Sequence, residues 1–99
     1  MIFNSPIVQK YILSGAKLVA TIRKKGYYRV GQRVKIKMNN KRIYGKIITI
    51  TPLSPFSLSK YVVYSGFENI EEWEKEAKRL HKAEIDPNKF EIVVVELIS

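Results

Sequence analysis

The residues with chemistry to offer lie in the first half of the chain. Around the segment Leu18 to Arg23 the side chains alternate, so Lys17, Val19, Thr21 and Arg23 share one face of a predicted strand and Leu18, Ala20 and Ile22 the other. Two cations and a hydroxyl on one face can hold an anion; the alternative is the wet outer face of an amphipathic strand. Lys24-Lys25-Gly26-Tyr27-Tyr28-Arg29 follows as a basic loop with two aromatics. Such a loop can grip a phosphate and stack a base, at ~1–3 kcal/mol per stacked base. Equally, its tyrosines can cover the end of the core, and both readings stay open here. Arg33, Lys35 and Lys37 then alternate with Val34, Ile36 and Met38, directing three cations away from an apolar side. The candidate nucleic-acid contacts are therefore Arg23, Lys24, Lys25, Tyr27, Tyr28, Arg29, Arg33, Lys35 and Lys37.

The distribution of charge strengthens this reading. All nine acidic residues lie at or beyond Glu68, whereas residues 1 to 67 carry thirteen Lys and Arg and no acid. The last 32 residues hold five bases against nine acids. A protein basic merely for solubility would intersperse its signs; one charge gathered over two thirds of the chain draws a polyanion to one side, because each neutralised phosphate releases condensed counterions. RNA is the leading partner, with DNA and nucleotides behind it and an anionic membrane surface last.

Several classes are excluded. The chain has no cysteine, so disulfide scaffolds and thiolate chemistry are out. One histidine, His81, late on a charged helix, is expected to be solvated, and no metal site or cofactor is implied. No apolar run approaches the ~20 residues of a spanning helix, and the first residues do not resemble a targeting signal. The expectation is a cytoplasmic monomer that does not enter membranes, folded as one domain over residues 1–99.

The elements that position these residues follow from punctuation and period. Ser5-Pro6 starts a helix, with a hydroxyl to cap it and proline at its first position, running to about Ser14 and burying Ile7, Val8, Tyr11 and Ile12 before Gly15 stops it. Arg33 to Met38 and Ile43 to Thr51 read as a hairpin about a turn at Asn39 to Arg42, with Gly45 marking a bulge or tight bend. Phe56 to Ser65 is ambiguous between a helical turn and a strand, with Tyr61 to Tyr64 favouring extension. Asn69 caps a helix whose apolar stripe is Ile70, Trp73, Ala77 and Leu80, with Trp73 in the core. Phe90 to Ile98 is a final strand, and its run Ile92 to Val95 places it centrally. The sum is α+β: a small mixed barrel of about five or six strands with two flanking helices.

The order Ile12-Leu13-Ser14-Gly15, Lys17, Thr21-Ile22-Arg23, Tyr28 to Val34, a hairpin, Pro52-Leu53-Ser54, Gly66 to Trp73 and a closing strand resembles the ASCH domain, a PUA-like β-barrel superfamily. The resemblance covers nearly the whole chain. It implies binding of RNA or modified nucleosides in a cleft beside the Thr-x-Arg strand. For some members it also implies amide hydrolysis of N4-acetylcytidine by a Lys, a Thr and a Glu, and for others ribonuclease activity. Carried over by motif, Lys17 matches the lysine, and Thr21 and Arg23 the Thr-x-Arg pair. Two departures weigh against hydrolysis: three residues, not two, separate Lys17 from Thr21, and Ser65 stands where the glutamate before Gly-Phe is usual. Hydrolysis needs an activated nucleophile and a proton for the leaving amine. The catalytic candidates are then Thr21 as nucleophile, Lys17 as its activator, and Glu68, three residues on, as substitute acid. Binding is the leading expectation, with an N4-acylcytidine amidohydrolase or a ribonuclease as alternatives. A third is an interaction module pairing through the last strand as an open edge.

Overall fold

Among the described residues, three helices and four strands follow one another as α1 (Pro6–Leu13), β1 (Leu18–Lys24), β2 (Arg33–Met38), β3 (Lys41–Pro52), α2 (Pro55–Tyr61), a 3-10 turn (Val62–Tyr64), α3 (Ile70–His81) and β4 (Phe90–Ile98). The computed structural model describes residues 1–38 and 41–98, so of the turn expected at Asn39 to Arg42 the first two residues lie outside the described residues, while Lys41 and Arg42 belong to β3 rather than to a turn. The strands form an antiparallel sheet in the order β1-β4-β3-β2, giving an α+β fold. Among the described residues no helix is long and apolar enough to cross a membrane.

Local chemistry accounts for most element boundaries. Asn69 accepts the Glu72 amide at 2.9 Å, and α3 ends where Lys82 turns left-handed at φ 55°. The segment after Pro52 is helical rather than extended. Ser54 and Ser57 form a reciprocal capping box and Pro55 occupies the first turn, so the start signal outweighs the strand preference of Tyr61 to Tyr64. Ser5 precedes α1 without capping it; its hydroxyl donates instead to Glu76 at 2.7 Å. Of the apolar residues assigned to α1, Val8 and Ile12 are buried and Tyr11 half-buried, while Ile7 is exposed.

The sheet has a core on each face. One collects Val19 of β1, Val93 and Val95 of β4, Ile47 of β3 and Val34, Ile36 and Met38 of β2, closed by Phe3, Val8 and Ile12. The other collects Ala20, Ile22, Ile92 and Val94 beneath Leu58 of α2 and Trp73 and Ala77 of α3. Strand β4, apolar on both sides, lies inside the sheet with partners on both edges. That position overturns the reading of the last strand as an open pairing edge. Trp73, 3% exposed, is core, whereas Leu80 at the end of its stripe is exposed.

Gly45 does not mark the bulge, which falls between Ile47 and Thr49. Its role is close approach: a Cβ there would stand 2.6 Å from Val95 Cγ1 and 3.0 Å from the Glu96 carbonyl oxygen. Because one of those atoms is backbone of the central strand, Gly45→Ala is expected to cost ~1–3 kcal/mol, typical of overpacking. Urea denaturation showing an unchanged midpoint would contradict this.

Both sheet edges are partly occupied. At β2, the Met1 carbonyl accepts the Lys37 amide at 3.0 Å and Ile2 bridges Lys37 in parallel. At β1, the Tyr11 hydroxyl donates to the Leu18 carbonyl at 2.9 Å and His81 Nε2 lies 3.2 Å from the Ile22 carbonyl. His81 is therefore not a solvated side chain: it is half-buried, edge-on to Phe90 with ring centroids 4.9 Å apart. Its distance from a carbonyl, which can only accept, requires the proton on Nε2. The described sheet thus has four strands rather than five or six, is open, and gains one parallel bridge from the N-terminal segment.

Candidate nucleic-acid interface

The two-faced alternation of β2 is repeated in β3, and their register sets the cations side by side. Arg33 pairs with Lys46, Lys35 with Tyr44 and Lys37 with Arg42, and all six side chains are exposed. Their opposite faces, Val34, Ile36 and Met38 on β2 and Gly45 and Ile47 on β3, are buried. Helices α2 and α3 cover the β1 and β4 half of this side of the sheet; the β2–β3 half is bare. Five cations and one tyrosine therefore form a stripe along the hairpin, ~14 Å from Arg33 to Lys37 at the rise of a strand. Ion pairs among the described residues, Lys78–Glu84 and Glu76–Arg79, lie in α3 or after it and do not reach the stripe. The one acid in register with it is Glu96, beside Lys46.

Arg42, Tyr44 and Lys46 were not among the residues expected to contact nucleic acid. The signal was present, since Arg42-Ile43-Tyr44-Gly45-Lys46-Ile47 alternates as cleanly as β2. Reading Arg42 as turn and Gly45 as a bulge interrupted it.

The Thr21–Arg23 face does not point to solvent. It faces the first core, with Val19 fully buried and Thr21 9% exposed. Arg23 Nε donates to Thr21 Oγ1 at 3.0 Å and its Nη2 to the Ile2 carbonyl at 2.8 Å, and its guanidinium carbon lies 4.8 Å from the Phe3 ring centroid. Burial draws the Arg23 pKa down from its ordinary value, and the neighbouring Tyr28 opposes this. The N-terminal ammonium is likewise pulled down, by burial first and then by Arg23 and Lys37. A cavity of about 150 Å³ opens beside Arg23, lined also by Phe3, Ser5, Thr21, Trp73, Glu76 and His81. Glu76 is already engaged: the Arg79 hydrogen bond, foremost, holds its carboxyl below the usual range against the opposing effect of burial, and a lesser hydrogen bond from Ser5 adds to the lowering. Arg23, held by Thr21 and Ile2, is the cation that lines this cavity.

Lys17, Thr21 and Glu68 open onto three different hollows. Lys17 is exposed before β1, in a depression with Arg42, Tyr44 and Ile98; Thr21 lines the Arg23 cavity; Glu68 lies with Tyr11, Gly66 and Asn69. The structure therefore does not bring together the nucleophile, activator and acid that amide hydrolysis would need at one reacting atom. Ser65, fully buried, donates to the Val62 carbonyl at 2.6 Å and accepts the Phe67 amide at 3.1 Å, fastening a turn. Among the described residues no group of three His, Asp or Glu converges on a point that could hold a metal ion.

In the basic loop the two tyrosines separate. Tyr27 is 73% exposed, while Tyr28 packs against the first core. The first is available to a ligand and the second covers apolar surface, so each of the two readings of this loop applies to one ring. Lys24, Lys25, Arg29 and Arg33 are exposed along the same loop, which runs from the end of β1 to the start of β2.

No family model matches the chain, nor does any solved structure. It is similar to uncharacterized protein 105 of Sulfolobus islandicus rod-shaped virus 1, with 59% identity over 95 residues, covering 96% of this chain and 90% of the relative.

Proposed function

This chain belongs to the same family as uncharacterized protein 105 of Sulfolobus islandicus rod-shaped virus 1, whose name states no activity; from its own surface we propose that it is a nucleic-acid-binding module with RNA as its leading partner. The single observation that carries this is the stripe of Arg33, Lys35, Lys37, Arg42 and Lys46 on a sheet face that the helices leave bare. Five cations in a row with one acid in register repel one another, and a polyanion relieves that repulsion while releasing its own counterions. The exposed Lys24, Lys25, Tyr27 and Arg29 of the loop that leads from β1 to β2 add to this positive surface, whereas Arg23 is drawn inward.

The ASCH-like reading belongs to this proposal. The Ile2–Lys37 bridge and the Arg23 hydrogen bond to Ile2 link both edges of the sheet to one segment, which supports a PUA-like barrel closed by the N-terminal residues. The Arg23 cavity is of the size that admits a single six-membered ring, in keeping with a cleft for a pyrimidine base. Binding is favoured over an amidohydrolase because Lys17, Thr21 and Glu68 open onto separate hollows. We place the protein in the cytoplasm as a monomer, its β1 edge capped by Tyr11 and His81.

Titrating a labelled RNA oligomer with the protein at several salt concentrations tests the proposal. Affinity is expected to fall steeply as salt rises, and the double charge reversal Lys35→Glu, Lys37→Glu to weaken it tenfold or more for every sequence tried, since each phosphate contact contributes a salt slope of ~0.7–0.9. Binding that is absent, or indifferent to salt, would reject it.

A further inference from the structure

We infer that the lower end of the hairpin stripe takes an unpaired base of a single-stranded nucleic acid, with Tyr44 and Ile98 as the stacking surface and Lys17 and Arg42 as contacts to the flanking phosphates. This rests on the nucleic-acid-binding function proposed above and narrows its substrate class. Tyr44 is 56% exposed in the middle of the cationic face, in a row that runs Lys35, Tyr44, Ile98 across three strands. Ile98 is itself 46% exposed, so an aromatic and an aliphatic side chain lie bare where charged residues would keep the surface wetter. The Lys35 ammonium lies 6.0 Å from the Tyr44 ring centroid, so a cation already stands beside the aromatic surface on which a base would lie.

The same Tyr44 and Ile98 form one wall of a hollow. It measures about 470 Å³ and is lined by Gly15, Lys17, Arg42, Tyr44, Leu97 and Ile98, where the stop of α1 meets the start of β3 and the end of β4. Its volume lies in the range that accommodates small ligands. Its composition, an apolar floor with two exposed cations at the rim, matches a nucleotide: an aromatic ring between two negative groups. Lys17 thereby acquires a role as a phosphate contact.

The exposed aromatic selects single strands. A duplex hides the faces of its bases in its own stack, so an exposed ring on an open sheet face gains stacking only from an unpaired base.

The experiment measures binding of the full chain to oligouridine, to oligothymidine and to a duplex of the same length, by fluorescence anisotropy at fixed salt. Both single strands are expected to bind more tightly than the duplex, and the ratio between them reports whether RNA or DNA is preferred. Tyr44→Ala should lose about 5- to 100-fold on the single strands with little change on the duplex, and Tyr44→Phe should stay near the parent. Lys17→Gln, which changes an exposed side chain and leaves the Lys17 carbonyl free to accept the Leu97 amide, should lose about fivefold at 0.1 M salt, the share of one phosphate contact on a single strand. Equal affinity for duplex and single strands, or the same loss on both for Tyr44→Ala, overturns this inference while leaving the nucleic-acid-binding function standing. Absence of salt-dependent binding to any of the three overturns that function as well.

Discussion

A chain carrying Lys35→Gln, Lys37→Gln, Arg42→Gln and Lys46→Gln together is expected to bind single-stranded oligonucleotide roughly a thousandfold more weakly at 0.1 M salt. The four side chains occupy exposed positions on β2 and β3, with their backs to the first core, so replacing them leaves the packed side of both strands as it is. Each phosphate neutralised on a single strand contributes a slope of ~0.7 in log affinity against log salt. Four contacts therefore account for a slope of ~2.8, and for about three decades between 0.1 M and 1 M salt. The two readouts are linked: the variant should lose its affinity and its salt sensitivity in the same measure. A variant that binds weakly but keeps the parent slope would show that the stripe acts through structure rather than charge. Glutamine retains most of the length of the side chains it replaces, so the covering of apolar stems is largely conserved. Thermal unfolding of the variant should be unchanged or raised slightly, because like charges that repel have been removed.

The second large effect concerns stability. Arg23→Ala is expected to destabilise the fold by ~2–4 kcal/mol, because it removes two charge-assisted hydrogen bonds, each worth ~1.5–3 kcal/mol, and a contact with the Phe3 ring. Opposing this is the relief of a guanidinium held out of water without a carboxylate partner. The hydrogen bonds prevail because the truncation also removes the donor that serves the Ile2 carbonyl, and leaves a void beside the existing cavity. Arg23→Met, which fills the volume and removes the charge, should cost much less, ~1 kcal/mol. Hydrogen exchange separates the local from the global part. The Lys37 amide, bonded to the Met1 carbonyl at 3.0 Å, should lose protection in Arg23→Ala before the β4 amides do. Unaltered protection at Lys37 would mean that the N-terminal segment is held without Arg23.

These two residue groups explain how the site depends on the fold. The stripe lies on strands whose reverse side is anchored by Val34, Ile36, Met38 and Ile47 in the first core, so its cations are presented by the stiff part of the molecule. Arg23 works in the opposite sense: its charge is drawn inward to tie the N-terminal residues across the end of that core, and the same tie shapes the small cavity next to it. A single population of basic residues, all in the first two thirds of the chain, thus divides into an outward set that remains free and an inward one that is structurally engaged.

Much of this was readable from residue order alone. The period of two in Arg33 to Met38 identifies a strand with one wet face, the unbroken run Ile92 to Val95 demands cover on both sides, and Asn69 with the stripe through Trp73 and Ala77 specifies a capped helix packed on a core. These are local properties, dictated by side-chain direction and by backbone groups that need partners within a few residues. What required the tertiary structure was everything decided by distance along the chain. Alternation could not say which face of β1 turns inward, because Val19, Thr21 and Arg23 and the opposite Ala20 and Ile22 all end up covered, by different elements. Nor could it say that His81 would reach the Ile22 carbonyl 59 residues away, that Ser5 would leave its helix to bond Glu76, or that Lys17 would open onto Arg42 and Tyr44 rather than Thr21. Charge sign and period belong to the sequence; which half of a sheet face stays bare depends on where two helices from the other half of the chain come to rest.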